Sequence, residues 1–131
     1  MFSIIILSHN RLKLLEKSIL SIINQQLSHN KYEIIVVDSS WEKLKLKKLI
    51  IKLKSKFKNV NFKFLSRPMS LDQTYKRNIA VRLAKFEWLI FIDDDAFLSG
   101  KSLDKVSSFL NSNKKQFYIL SGRLLPLLES S

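Results

Sequence analysis

The chain has 131 residues and a formal charge of +12, from 23 Lys and Arg against 11 Asp and Glu. That length suits one domain with a core of its own. The lack of cysteine excludes disulfide scaffolds, thiolate metal sites and thiol nucleophiles, and two glycines leave no room for a glycine-rich phosphate loop.

The hydrophobic pattern alternates between strand and helix along the chain. Residues 2–7 form a continuous, largely β-branched run, expected as a strand buried on both faces. Residues 11–26 place Leu14, Leu15, Ile19, Ile22 and Ile23 on one helical stripe. A second buried strand is expected at 33–37, stopped by Asp38-Ser39-Ser40. A helix follows in which Leu46, Leu49, Ile50, Leu53 and Phe57 recur at helical spacing. Then come a short strand at 60–65 and a helix over 71–85 with Tyr75, Ile79 and Leu83 inward. A strand at 88–92 ends in Asp93-Asp94-Asp95. A helix at 102–111 and a fifth strand at 117–121 complete the pattern. Strand and helix alternating with short connections implies right-handed crossovers. The expected fold class is therefore α/β, a Rossmann-like, open, mainly parallel sheet with helices on both faces in three α/β/α layers.

The charge is uneven. Eight lysines against Glu42 give the segment 42–58 a charge of +7, more than half of the total. Its lysines are expected on the face opposite the apolar stripe. That basic helix is either a solvated surface or a contact for anionic lipid headgroups or an acidic partner. Aromatic residues are not regularly interleaved with the lysines as single-strand binders require, so no nucleic-acid partner is expected. The longest aliphatic runs are too short to span a bilayer, and no basic stretch precedes Ile4 to mark a secretory signal. The expected location is cytoplasmic, with peripheral contact at the inner membrane face through residues 43–58.

Ligands of open α/β sheets bind at the carboxyl ends of the strands. Three polar clusters stand at such ends: Ser8-His9-Asn10, Asp38-Ser39-Ser40 and Asp93-Asp94-Asp95. Three successive carboxylates repel one another and call for a counter-charge, which a hard cation such as Mn2+ or Mg2+ supplies through carboxylate oxygen and substrate phosphate. In extended backbone, Asp93 and Asp95 point to one side and Asp94 to the other. The alternative for this cluster is an acidic turn or helix cap. Arg77 and Lys76 either neutralise a diphosphate, for which Arg offers the bidentate fork, or are ordinary helix-surface charge, which is the readier reading for Lys76. Asp38 either accepts from a base N–H or caps its own turn. His9 and Asn10 either meet a base or open the following helix as a turn.

As an ordered set, Ser3 to Arg11, Glu33 to Ser40, Arg77-Asn78-Ile79-Ala80 and Glu87 to Asp95 resemble the family 2 glycosyltransferases of GT-A fold. Ser121 to Pro126 resemble the family's next strand and turn. The resemblance implies that a nucleotide-diphosphate-sugar, UDP-linked by preference, is the donor. It implies that His9 and Asp38 hold the base, with Ser8 and Asn10 beside them. It further implies that Arg77 approaches base and diphosphate, that Asp94 contacts ribose, and that Asp95, with Asp93, binds Mn2+ or Mg2+. The reaction implied is inverting transfer to the hydroxyl of a glycan, lipid or protein acceptor, as in polysaccharide or cell-envelope synthesis. Leu7, His9, Ser39 and Phe86 depart from the family's common residues, but none removes a charged ligand. Family members continue into a region that builds the acceptor site and carries the general base. Residues 1–131 are accordingly expected to be one nucleotide-sugar-binding domain, with no catalytic base named within it. Two other readings are a non-catalytic donor-binding module and a metal-dependent nucleic-acid phosphoryl-transfer domain.

Overall fold

The computed structural model describes residues 1–68, 72–113, 119 and 121–122. The expected fifth strand at 117–121 lies outside them except for Ile119 and Ser121, as does most of the family-like segment 121–126. Among the described residues four strands, β1 (Phe2–Ser8), β2 (Tyr32–Asp38), β3 (Asn61–Ser66) and β4 (Trp88–Asp93), alternate with four helices. These are α1 (Leu12–Ile23), α2 (Lys43–Lys56), α3 (Gln73–Leu83) and α4 (Ser102–Ser112). The sheet order is β3-β2-β1-β4 and every pairing is parallel.

The two-residue period of a strand divides the core. Ile4, Ile6, Ile34, Val36, Phe62 and Ile92 pack with Leu15, Ile19, Ile22, Leu49, Leu53, Leu103 and Leu110, so α1, α2 and α4 cover one face. Ile5, Ile35 and Val37 pack on Ala80, with Leu83 and Leu89 beside them, so α3 covers the other. The three-layer expectation therefore holds. Because β2 and β4 flank β1, strand order reverses beside β1, and a crevice opens at its carboxyl end.

Several boundaries differ from the periodic pattern, and polar cross-links explain them. α1 stops at Ile23 rather than 26 because buried Gln25 turns aside: its Nε2 donates to Ser21 O at 3.3 Å and its Oε1 accepts from Leu103 N at 3.2 Å. α3 begins after Asp72, whose carboxylate accepts from Tyr75 N at 2.7 Å. It ends at Leu83, not Lys85, because Lys63 Nζ donates to Leu83 O at 2.8 Å while Glu33 Oε1 accepts from Lys85 N at 2.6 Å. The inward face of α3 also differs. Lys76 and Ala80 are buried, Ile79 and Leu83 are half-buried, and Tyr75 is exposed. On α2, Leu46, Leu49 and Leu53 are buried as expected, but Leu44 (78% exposed) and Ile51 (59%) share the outer surface with the lysines.

Candidate functional site

The loops after β1 and β2 are braced against each other. Asn10 adopts a left-handed backbone (φ 53°), a conformation Asn tolerates better than most residues. Its N–H donates to Ser40 Oγ at 2.7 Å, and its Oδ1 accepts from Trp41 N at 2.9 Å. With Oδ1 committed, the amide nitrogen is the group that faces His9 Nε2 at 3.2 Å, and it donates there. His9 Nε2 is then the acceptor and Nδ1 carries the proton, which meets Ser39 O and Ser39 Oγ, each at 3.1 Å. Both ring nitrogens are thus engaged within the protein, and the ring face is what His9 offers to a ligand.

Asp38 is buried, and its two oxygens accept from Ser40 N and Ser40 Oγ, both at 2.8 Å. The structure thus shows the turn-capping role. Each oxygen keeps a second lone pair, so capping does not exhaust the carboxylate.

Asp93 closes β4 opposite Leu7, and there the strand geometry ends. Ala96 N donates to Asp93 O at 3.0 Å, making a turn that breaks the alternation expected for the three aspartates. Asp94 and Asp95 therefore converge on one guanidinium: Arg11 Nη1 lies 2.7 Å from Asp95 Oδ2 and 3.5 Å from Asp94 Oδ1. Asp94 is buried and its Oδ2 accepts from His9 N at 3.3 Å, whereas Asp93 and Asp95 are exposed. Burial raises the Asp94 carboxyl above the usual range, helped by the charge of Asp95. The His9 N–H, Arg11 and the nearby Ser8 hydroxyl oppose that rise.

The third side is α3. Arg77 lies over the Phe91 ring, its guanidinium carbon 5.5 Å from the centroid. With Gln73, Arg11 and Leu7 these groups line a cleft of about 350 Å³ that also takes in His9 and the three aspartates. Beneath it lies Lys76, only 1% exposed, its Nζ donating to Ser39 Oγ at 2.9 Å and Ser8 O at 3.3 Å. Burial lowers its pKa, and the charges of Asp38 and Asp94 pull it back up. The expectation of a surface lysine is thus overturned. Phasing the α3 stripe on Ala80 instead of Tyr75 would have placed Lys76 inward. Arg11 carried no signal in the sequence, because its partner Asp95 lies 84 residues away and Asp94 is the residue before it.

Among the described residues no three acidic or histidine side chains form a self-sufficient metal site. Asp95, with Asp93 nearby, still presents the hard oxygen chemistry that a Mn2+ or Mg2+ ion accepts when phosphates complete its shell. A cation, that of Arg11, already neutralises this position. The residues fit such an ion as a partial ligand set.

The family model described as "Glycosyl transferase family 2" matches residues 3–124. The chain belongs to glycosyl transferase family 2. A poly(ribitol-phosphate) beta-glucosyltransferase of Bacillus spizizenii is 28% identical over 136 residues, covering 95% of this chain and 20% of that protein. The chain thus spans about a fifth of the length of this curated relative. S. aureus TarS 1-349 in complex with UDP-GlcNAc superposes with a TM-score of 0.73 at 22% identity, over 95% of this chain and 36% of that one. The mannosyltransferase PcManGT of Pyrobaculum calidifontis, in complex with GDP-Man and Mn2+, gives 0.75 at 21% identity, over 83% of this chain and 32% of that one. These likenesses show the GT-A fold for the family 2 chain. Among its described residues no helix is long and apolar enough to cross a membrane.

Proposed function

We propose that this family 2 chain holds the nucleoside diphosphate part of a sugar donor, a UDP-sugar, in the cleft beside β1. The observation that carries this reading is the convergence of the ends of β1 and β4 with α3 on one crevice, whose His9 rim is braced by the loop after β2. The imidazole of His9, the buried carboxylate of Asp94, the exposed carboxylates of Asp93 and Asp95 and the guanidinium groups of Arg11 and Arg77 all line it. His9 offers its ring face to the base and Asp38 its remaining lone pairs to a base N–H, with Ser8 and Asn10 shaping the loop. Asp94 is the ribose contact. Arg77 offers a planar, paired set of donors for the diphosphate. Asp95, with Asp93, would hold a divalent cation, which would offset charge on the departing nucleoside diphosphate.

The reaction proposed is inverting transfer of the sugar to an acceptor hydroxyl, with residues 1–131 serving as the nucleotide-sugar domain. The Bacillus relative is named for a poly(ribitol-phosphate) acceptor, which supports a cell-wall polymer as the acceptor class. The lysines of residues 43–58 support peripheral contact with an anionic membrane surface.

Calorimetric titration with UDP and GDP, with and without Mn2+, tests the reading. Metal-dependent binding of UDP is expected, and Asp95→Ala should abolish the metal dependence. The absence of any metal-dependent nucleotide binding would overturn it.

A further inference from the structure

Lys76 places a charge inside the molecule. Its neighbours on α3, Arg77 and Arg82, are exposed, yet its own long side chain is 1% exposed. Taking an ammonium out of water costs several kcal/mol unless its partners compensate, and an apolar residue of similar size commonly packs at lower cost. The ammonium therefore matters through what it bonds. It reaches the last carbonyl of β1, at Ser8, and the hydroxyl of Ser39 in the loop after β2. That Ser8 carbonyl also accepts from Ser39 N at 3.0 Å. A lysine donates and cannot accept, so the Ser39 hydroxyl accepts from it, and the turn anchored this way presents the Ser39 carbonyl, which can only accept, to the His9 ring. The hydroxyl oxygen and the carbonyl of Ser39 both face His9 Nδ1.

We propose that Lys76 is a positioning residue for the nucleotide end of the cleft: its buried ammonium fixes the Ser39 turn and, through it, the tautomer and orientation of the His9 ring. The proposal rests on the reading that His9 and Asp38 receive a nucleobase. The same ammonium also offsets two buried carboxylates, since Asp38 and Asp94 both act on its charge. The ligand would meet a ring already aimed, with no rotamer to freeze on binding.

The test uses the 131-residue protein labelled with 15N, whose two histidines, His9 and His29, give few imidazole signals to resolve. UDP affinity is measured on the same samples. In wild type, His9 should show the Nδ1-protonated pattern. Lys76→Met should convert it to the mixed tautomers of a free imidazole and weaken UDP binding by roughly tenfold or more, the size of a lost charged hydrogen bond. Lys76→Gln, which retains an N–H donor, should recover part of both. Ser39→Ala should reproduce the His9 change, and the double variant should lose no more affinity than the worse single one. A wild-type His9 pattern in Lys76→Met overturns the proposal, as does weakened binding with His9 undisturbed. If Lys76→Met fails to fold, Ser39→Ala decides by the same two readouts. If wild type binds no nucleoside diphosphate, the donor-site reading fails. The His9 pattern then decides the Lys76 link alone, and its persistence in the variant overturns it.

Discussion

At Asp94 stability and binding pull in opposite directions. Its folded pKa is raised, first by burial and also by Asp95, so its ionised form costs stability at any pH above its unfolded value. That cost vanishes as the pH falls and the group is protonated. Asp94→Asn should therefore hold or raise the thermal midpoint near neutral pH, and the advantage should shrink toward acid. Nucleotide binding should fall in the same variant. A parallel loss of stability and affinity would show that the His9 N–H bond, and not burial, dominates this side chain.

Single residues also mark the limit of what the sequence discloses. Ser8, His9, Asp38 and the three aspartates were legible because each follows an apolar run that had to be a buried strand. Arg11 and Lys76 were not, because their partners belong to other strand ends and no local period reports them. The alternation assumed for Asp93 to Asp95 failed for a related reason. It requires extended backbone, and the turn closed by Ala96 begins at Asp93.

Among the elements, α3 bears most directly on the site, since it carries both Lys76 and Arg77. Its start depends on the Asp72 side chain. Asp72→Ala should cost about 1 kcal/mol of stability by loss of the cap, read as a lower midpoint in urea. It should weaken nucleotide binding by more than that stability loss explains, because the first turn that aims Gln73 and Arg77 would fray. On α2 the two faces should respond differently. Leu53→Ala removes a buried side chain and should cost about 2–5 kcal/mol. Leu44→Ala, on the outer face, should stay within about 0.5 kcal/mol. Helices and strands were legible from periodicity almost throughout. Their ends were not, because Gln25, Glu33 and Lys63 terminate them through bonds to distant backbone.

For the whole molecule, two electrostatic patterns coexist. The bulk charge rides on α2, which contributes no residue to the cleft. An excess of +12 makes the folded chain repel itself, so stability should rise as salt screens it. The second pattern is local. Glu33 is fully buried; burial alone would raise its carboxyl. Lys63, 2.8 Å away, together with Ser3 Oγ and Lys85 N–H, lowers it below the usual value instead. A depressed carboxylate contributes stability above its unfolded pKa and loses it as the pH falls through the folded one. Lys63→Met should therefore destabilise the protein near pH ~7 and narrow the gap between variant and wild type near pH ~3. Unfolding curves at the two pH values would show whether the gap closes.

The polar groups at the two ends of β1 and β2 have a bearing on how the chain finds its fold. Between those ends the strands meet as Ile4-Ile5-Ile6-Leu7 against Ile34-Ile35-Val36-Val37. Such uniform runs cannot distinguish one alignment from another slipped by two residues, because a slip of two keeps every side chain on its own face. The ends can. Ser3 stands opposite Glu33 and Ser8 opposite Asp38. A slip of two would set the Glu33 carboxylate against Ile5 or Met1 instead of Ser3, and would part Ser8 from Ser39, which the Lys76 ammonium bonds together. The interior supplies the drive to collapse and no ruler. The two polar ends act as its stops, so residues proposed to serve the ligand also reject misaligned sheets.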